Sequence, residues 1–360
     1  MGSHIMGVTQ TALPRQEASQ TQPAAARAPD PSRIPSLDGL RAISVLLVIV
    51  FHMSIAGDAP AFFIHLSTFG VQVFFVISGY LITSLLLAER ERLDRIDLKA
   101  FYLRRVFRII PAAYGFLAVI FVFYWAAFRP VDIISTLTFT TNYDLGRPTV
   151  VAHFWSLGVE EQFYLLWPIT LGLFFRQRLR ILVWALCLSP FFIVALHFLH
   201  LNEYRALAFP TTYDTLAMGC LAAVLGSRLE FLRSRWFVLC GPLALLCQWP
   251  LWTTKLSGLV HVFFLWPAMH LFIAMFMVHA IYRPYWLLNV KPMVWIGTLS
   301  YSLYLWHQPF IAEPRLAHRF TLLWIFASAA ASYYLLERPL LRLRKRLRKV
   351  PVGDVSKTPA

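Results

Sequence analysis

The sequence predicts an all-α polytopic membrane protein, on the basis of its composition, its apolar stretches and the placement of its basic residues. Of the 360 residues, 58% are hydrophobic and 14% are charged, and the mean hydropathy is +0.59. Soluble domains are typically about 45–50% apolar and about 25% charged, so this is the composition of a multi-pass membrane protein. About ten stretches are long and apolar enough to cross a bilayer as helices. They are approximately 37–56, 69–88, 109–128, 153–175, 181–200, 211–226, 236–254, 261–281, 293–311 and 319–336.

Lys and Arg are distributed unevenly among the connections between these stretches. If the N-terminus is cytoplasmic, 26 basic residues lie in cytoplasmic segments and 6 in outer segments, as the positive-inside rule requires. We therefore expect both termini in the cytoplasm and a multi-pass location in the inner (cytoplasmic) membrane. Topology also accounts for the net charge of +15, so the lipid bilayer is an expected partner and nucleic acid is not.

The segment 131–142 is too short and too polar to be an eleventh crossing. A crossing here would also invert the orientation of all segments before it relative to all segments after it, and the bias of basic residues towards the cytoplasm would be lost. We expect this segment to be re-entrant or to lie on the outer surface. Asn142, at its end, is a candidate substrate-binding residue.

The two ends of the chain differ in composition from the apolar middle. Residues 1–34 combine the vector-like leader MGSHIM with a tail rich in Pro, Ala and Gln, which we expect to be disordered. Residues 35–340 hold the predicted membrane domain. Residues 341–360 form a basic cytoplasmic tail, in which 342–349 is interpreted as membrane-surface charge. The four cysteines lie in apolar stretches without metal or disulfide spacing, so no metal site is expected.

The first apolar stretch carries two ionisable residues, Arg41 and His52, at membrane depth. Eleven positions at about 100° each leave their side chains about 20° apart around a helix and about 16 Å apart along it. Since a charge facing lipid costs about 2.5–3.5 kcal/mol, the pair predicts a polar cavity and catalytic roles for both residues. Snorkelling of Arg41 and an interfacial, satisfied His52 explain the pattern equally well.

A basic segment, Glu89–Arg108, precedes the third stretch on the predicted cytoplasmic side. On a helix, Arg104, Arg105 and Arg108 are close neighbours, an arrangement that suits multidentate binding of phosphate groups. We call these three residues the arginine clamp. Anchoring to anionic lipid headgroups is the alternative explanation for this segment.

The second stretch contains Ser78-Gly79-Tyr80, where small side chains leave room for a substrate. Ordinary close packing of two helices explains the same pattern. All three residues are candidates for binding substrate.

Polar residues also lie near the predicted outer ends of two later helices. Glu160 and Glu161 are at the start of the fourth stretch, where acids of a first helical turn are common. Either carboxylate could instead orient the imidazole of His52, and thereby make it a general base. Tyr304 and His307 lie one turn apart in the ninth stretch, at a similar depth.

Five stretches, in this order, resemble the acyltransferase-3 family of integral membrane acyltransferases. The resemblance covers about residues 35–340, and it implies transfer of an acyl group, most often acetyl, from cytoplasmic acyl-CoA to a hydroxyl of a carbohydrate-containing acceptor. Family members often carry an arginine shortly before the aspartate that opens the sixth span, where this chain has Thr212 and Tyr213 before Asp214. The chain shows no appended hydrolase-like domain, so we expect no two-step relay through one. The five stretches are SLDGLRAISVLLVIVFH, GVQVFFVISGYLI, FYLRRVFRIIPAAY, FWSLGVEEQFYLLWP, and SYSLYLWHQP followed by LLERP.

The residues and the resemblance together predict a mechanism. The phosphates of acyl-CoA lie on the arginine clamp, and the pantetheine arm passes Arg41 and the Ser-Gly pair. His52 deprotonates the acceptor hydroxyl while one of the two glutamates orients its imidazole. Tyr304 and His307 bind a carbohydrate or glycolipid acceptor or stabilise the oxyanion. Acyl-CoA is then a substrate, and no bound cofactor is expected.

The alternative function is that of a membrane transporter for an anionic or glycan substrate. In that case Arg41 and His52 form an anion or proton path, and no acyl chemistry takes place.

The predicted topology can be tested by labelling single cysteines in a variant that lacks the four native ones. A cysteine at Thr149 should react with a membrane-impermeant maleimide in intact cells. A cysteine at Ser356 should react only after permeabilisation, because it lies on the predicted cytoplasmic side. The reverse pattern would contradict the topology.

Overall fold

The computed structural model describes residues 34–200, 208–248, 255–312 and 320–347, apart from Ser67 and Leu145. Every regular element within these ranges is helical, which confirms the predicted all-α class. The expectations for 1–33 and 348–360 lie outside the described residues. The α-helices are α1 (Pro35–Ile55), α2 (Phe69–Leu93), α3 (Leu98–Tyr124), α4 (Pro130–Leu137), α5 (Phe154–Leu173), α6 (Arg178–Phe198), α7 (Phe209–Leu225), α8 (Cys240–Gln248), α9 (Lys255–Val260), α10 (Trp266–Tyr282), α11 (Trp286–Asn289), α12 (Lys291–Thr298), α13 (Ser300–Ala312), α14 (Thr321–Ser332) and α15 (Arg338–Leu347).

Six helical segments in the described ranges are long and apolar enough to cross a membrane. Each coincides with one of the ten predicted stretches. A helix of about 20 residues spans the roughly 30 Å hydrocarbon core, so segments of this length need no extension. The six are Pro35–Ile55, Phe69–Leu93, Leu98–Ala127, Phe175–Phe198, Phe209–Arg233 and Gly258–Tyr282.

The other four predicted stretches form helices that are shorter, interrupted or more polar. The stretch 153–175 becomes α5, which has 20 residues but carries two glutamates. The stretch 293–311 is divided between α12 and α13, and 319–336 becomes α14 followed by a π-helical turn, Tyr333–Glu337. The stretch 236–254 begins as the apolar helical segment Arg235–Gln248, and its end lies outside the described residues. The number of ten crossings stays a prediction.

The basic segment that follows the second stretch is divided between two helices by a sharp turn. α2 ends at Leu93, and Asp94 adopts a φ of 52°, the left-handed conformation in which many helices end. The Asp97 carboxylate then accepts a hydrogen bond of 2.9 Å from the backbone N–H of Ala100, and this N-cap starts α3. The arginine clamp therefore belongs to the first turns of α3, on the same helix as the third apolar stretch.

The connection after α3 forms a compact loop. Its helix α4 has eight residues, about 12 Å in length, and is too short to cross a bilayer. The Arg129 guanidinium contacts the carboxylates of Asp132 and Asp144, with N–O distances of 2.5 and 2.9 Å. The hydrogen bonds from Arg129 lower the pKa of the Asp132 carboxyl group. Arg147 donates to three backbone carbonyl oxygens of the same loop, so charges within the loop hold it in place.

In the described part of the chain, two buried apolar clusters form the core, and helices α1, α2 and α7 contribute to both of them. Helices α2 and α7 approach each other closely. A Cβ atom added at Gly79 would overlap the Leu216 carbonyl oxygen, and one added at Gly219 would overlap the Val76 carbonyl oxygen. Small residues at such a crossing allow two helix backbones to touch. Ile34, the first described residue, is also buried in this core.

The α2–α7 contact predicts that Gly79→Ala destabilises the protein, because the added methyl group meets backbone that cannot move aside. Overpacking of this kind costs about 1–3 kcal/mol of the free energy of unfolding, and it should lower the unfolding temperature in detergent. The matched control is Gly172→Ala in α5, where an added Cβ has no neighbour within 4 Å. This control should be neutral or slightly stabilising, because alanine favours helix. Equal effects of the two substitutions would contradict the interpretation.

Candidate functional site

A cavity of about 1190 Å³ lies between α1, α2, α3, α5, α12, α13 and α15. Its lining includes seven arginines and four carboxylates, although the surrounding helices are apolar. Because charges facing lipid are costly, a concentration of charge among such helices marks a polar, functional cavity. The charged lining residues are Asp38, Arg41, Glu89, Arg92, Arg104, Arg105, Arg108, Glu160, Glu161, Arg338 and Arg342.

All three residues of the arginine clamp line this cavity. Arg104 donates to the buried carboxylate of Glu89 with an N–O distance of 2.8 Å. The Arg105 guanidinium lies over the rings of Phe101 and Tyr164, 5.6 and 5.5 Å from their centroids. Its Nε atom is buried without a hydrogen-bond partner. Arg104 and Arg105 are therefore held in position by acidic and aromatic neighbours, while the Arg105 Nε donor remains to be satisfied.

Farther along the cavity, α2 and α5 meet through polar side chains. The Ser78 hydroxyl donates to a Glu160 carboxylate oxygen at 2.5 Å, and the Tyr164 hydroxyl lies 3.4 Å from Ser78 Oγ. Arg41 lines the same cavity, 4.0 Å from the Asp38 carboxylate. The structure thus brings Arg41, Ser78 and the paired glutamates into the cavity that contains the clamp.

The cavity lining also includes two hydroxyl groups that contact each other. Tyr304 and Ser156 have an O–O distance of 2.6 Å, and the Tyr304 hydroxyl donates to the backbone carbonyl of His153 at 3.0 Å. Next to Tyr304 lie His52, His153 and His307, which we call the histidine cluster; none of them lines the cavity. The ring centroid of His307 is 4.9 Å from that of His52 and 5.2 Å from that of His153.

Hydrogen bonds to backbone carbonyls fix two of these imidazoles. His52 Nδ1 lies 2.8 Å from the Val48 carbonyl oxygen, and His307 Nδ1 lies 2.7 Å from that of Tyr304. A carbonyl oxygen only accepts, so Nδ1 carries the proton in each ring and Nε2 keeps a lone pair. His307 Nε2 and both ring nitrogens of His153 are buried without hydrogen-bond partners. This arrangement can accept a proton from a hydroxyl group.

The predicted hydrogen bond between His52 and Glu160 or Glu161 is not formed. The His52 Nδ1 atom is hydrogen-bonded to the Val48 carbonyl oxygen of its own helix. Both glutamates line the cavity, and His52 does not. The physical reason is the depth of these residues in the membrane domain. His153, at the N-terminal end of α5, belongs to the histidine cluster. The two glutamates lie about 10 Å farther along the same helix.

Three other candidate binding residues do not line the cavity. Gly79 packs against the backbone of α7. Tyr80 packs against the buried apolar cluster that contains Leu37 and Met277. Consecutive residues point about 100° apart on a helix, so of this group only Ser78 faces the cavity. Asn142 is buried in the loop after α3, where its side chain accepts a hydrogen bond of 3.0 Å from Gln162. The placement of Gly79 favours the packing explanation for this residue, and a binding role for Tyr80 or Asn142 stays a prediction.

Three residues at or beside the site were not predicted to belong to it. His153 joins the histidine cluster, and Glu337 is buried and accepts a hydrogen bond from Ser302. Both are ionisable residues next to apolar stretches, the criterion that identified Arg41. Arg342 lines the cavity, in contrast to its assignment to membrane-surface charge, because α15 packs against α3. Among the described residues, no group of three His, Cys, Asp or Glu side chains could hold a metal ion.

Comparison with known proteins assigns the fold to a family. The model of the acyltransferase-3 family, described as an acyltransferase domain, matches residues 34–336. No solved structure is significantly similar to the chain.

Several curated proteins are similar to this chain. Peptidoglycan O-acetyltransferase OatA of Listeria monocytogenes is 32% identical over 77% of this chain and 49% of its own length. O-acetyltransferase OatA of Staphylococcus aureus is 31% identical over 78% of this chain and 51% of its own length. The putative peptidoglycan O-acetyltransferase YrhL of Bacillus subtilis is 30% identical over 77% and 48%. This chain spans about half the length of these relatives, and the family match covers nearly all of its described helices, so the protein belongs to the acyltransferase-3 family of membrane proteins.

Proposed function

We propose that this protein is a membrane O-acyltransferase, which moves an acetyl group from cytoplasmic acetyl-CoA to a hydroxyl of a cell-envelope glycan. Family membership supports the acyl transfer, and the names of the relatives support acetyl as the group and a peptidoglycan sugar as the acceptor. The observation that carries the proposal is the cavity, which runs from an arginine-rich lining to hydroxyl groups beside the histidine cluster.

The donor end of the proposal rests on charge. Acetyl-CoA carries a pyrophosphate and a 3′-phosphate, and a charge-assisted hydrogen bond to such groups is worth about 1.5–3 kcal/mol. The arginine clamp and Arg41 supply cations along one cavity, while the glutamates and Ser78 hold their surroundings in place. We also propose ten crossings with both termini in the cytoplasm of a bacterial cell, because this topology opens the arginine-rich end to the compartment that contains acetyl-CoA.

In the proposed reaction, the acceptor oxygen attacks the carbonyl carbon of the thioester. A C–O bond forms and the C–S bond breaks. The hydroxyl proton passes to an imidazole and then to the departing thiolate, so that the products are an acetyl ester and free CoA. The Tyr304 hydroxyl donates to the His153 carbonyl oxygen. In the proposed reaction it turns from that oxygen to the developing oxyanion, because Tyr304 lines the cavity that holds the thioester.

His52 is the proposed base within the histidine cluster. It is the partly exposed member, whereas His153 and His307 are buried, so an acceptor from outside can reach it. The Val48 carbonyl oxygen holds its Nδ1 proton and leaves Nε2 free to accept another. His307, with its ring 4.9 Å away, is the second candidate and a contact for the acceptor.

A transporter without acyl chemistry is the competing function, and two measurements separate the two. Purified protein should gain thermal stability from acetyl-CoA and gain less from dephospho- and desulfo-CoA, because binding of the folded state stabilises it. Glycans from cells that produce the protein should gain acetyl groups by mass spectrometry, and those from cells that produce His52→Ala should not. A protein that gains stability from none of these compounds and leaves glycans unchanged would contradict the proposed function.

The arginine clamp predicts a specific loss of donor affinity. Arg105→Ala and Arg108→Ala should each weaken acetyl-CoA binding about ten- to hundredfold, because each removes a charge-assisted phosphate contact. The comparison is a variant with Arg344, Lys345 and Arg346 neutralised, where each lost charge is worth about 1 kcal/mol or less near a membrane. Isothermal titration in nanodiscs gives both dissociation constants. Equal losses of acetyl-CoA affinity in the clamp variants and in the tail variant would mean that the clamp and the tail act only as general membrane charge.

The histidine cluster predicts a split between binding and turnover. His52→Ala should fold and bind acetyl-CoA with nearly unchanged affinity, while its transfer rate falls about 10²–10⁴-fold, the usual cost of losing a general base. His307→Ala should lose less activity. Arg41→Ala should lose donor affinity as well, because Arg41 lines the cavity. Substantial transfer by a folded His52→Ala protein would reject His52 as the base and favour His307.

A further inference from the structure

Helix α15, the turn before it and one residue of α12 contribute a group of side chains to the cavity that the mechanism above does not use. The group consists of Trp295, Tyr334, Arg338 and Arg342, all of which line the cavity, and we call it the C-terminal patch. The Trp295 indole N–H donates to the Tyr334 hydroxyl at 3.1 Å, and the Arg338 guanidinium lies 5.4 Å from the centroid of the Tyr334 ring. Two aromatic rings and two cations therefore lie in one part of the lining.

The C-terminal patch is supported by buried structure. Residues Tyr333–Glu337 form a π-helical turn, and π-helical turns occur often at functional sites. The buried Glu337 in this turn accepts a hydrogen bond from Ser302 of α13, which anchors the start of α15. Trp295 is stacked on Phe326 with an angle of 16° between the rings. The patch is thus positioned by contacts behind it.

The chemistry of the patch differs from that of the arginine clamp. Exposed aromatic rings bind the flat face of a base by stacking, and two arginines one helical turn apart suit a phosphomonoester. Both features are present in 3′-phosphoadenosine. The clamp lies on α3, against which α15 packs, so the two sites face one cavity. A ligand with a 3′-phosphoadenosine end and a pyrophosphate can contact both.

We propose that the C-terminal patch binds the 3′-phosphoadenosine end of the CoA donor, with Arg338 and Arg342 on the 3′-phosphate and Tyr334 and Trp295 against the adenine. The pyrophosphate then lies on the arginine clamp. This assignment rests on the proposed function, and it makes α15 the element that distinguishes CoA from dephospho-CoA. Anionic lipid headgroups share the phosphate chemistry but have no purine, and the experiment separates these two sources.

The test compares CoA with dephospho-CoA, which lacks only the 3′-phosphate, by isothermal titration of the full chain in phosphatidylcholine nanodiscs. The original protein should prefer CoA by about ten- to hundredfold. In Arg342→Ala and in the milder Arg342→Gln this preference should fall severalfold or more, and it should fall further when Arg338 is also replaced. Arg105→Ala should weaken both ligands and keep the preference. Arg283→Ala, an exposed arginine that does not line the cavity, should change neither.

Tyr334→Leu gives an independent measurement of the adenine contact. It should weaken CoA and dephospho-CoA by the same factor and leave the binding of S-acetyl-4′-phosphopantetheine, which has no adenosine, unchanged. Repeating the titrations in nanodiscs with phosphatidylglycerol tests the lipid alternative.

Three outcomes would overturn the proposal. One is full preference for CoA in the Arg338 and Arg342 variants. Another is an effect of these variants that appears only with phosphatidylglycerol and is equal for both ligands. A third is weaker binding of S-acetyl-4′-phosphopantetheine by Tyr334→Leu. Absence of CoA binding by the original protein would instead reject the proposed function itself.

Discussion

The arrangement of this protein depends on the close crossing of α2 and α7. Two glycines, Gly79 and Gly219, each face the backbone of the opposite helix, at distances that leave no room for a Cβ atom. Since both helices contribute to both apolar clusters, the crossing joins the two halves of the core. It also sets the rotation of α2. With Gly79 against α7, the preceding residue, Ser78, faces the cavity and donates to Glu160.

The charges of the cavity are compatible with a membrane domain because they are concentrated in one place. A cation that faces lipid alone costs several kcal/mol, but here seven arginines and four carboxylates share one lining. Arg104 has a buried carboxylate partner, and Arg105 lies over two aromatic rings. Arginine suits such a site, because its weakly hydrated, planar cation stacks on rings and still presents N–H donors to phosphate.

The histidine cluster is adjacent to the cavity but separate from its lining. Tyr304 connects the two, since its hydroxyl belongs to the cavity lining while its ring and backbone contact the imidazoles. In the proposed reaction this arrangement keeps the donor and the acceptor on different sides of the reacting atoms. The thioester is then shielded until a hydroxyl group reaches the base, which limits transfer to water.

The sequence by itself determined the fold class, the family and the presence of a charged cavity. Composition and apolar length are properties of local segments, so they identify α1, α2, α3, α6, α7 and α10 without knowledge of packing. Arg41 and the arginine clamp were also recognisable, because a cation in or beside an apolar helix needs a polar environment wherever that helix packs.

Only the tertiary structure decided which polar groups meet. The sequence could not tell that Glu160 contacts Ser78 rather than His52, because the relative depth of two helices depends on how they pack. Nor could it tell that Gly79 serves a helix contact, or that His153 joins His52 and His307. Arg342 lines the cavity because α15 packs against α3. Rotation and depth of a helix are set by its neighbours, and a linear pattern specifies only which residues share a face.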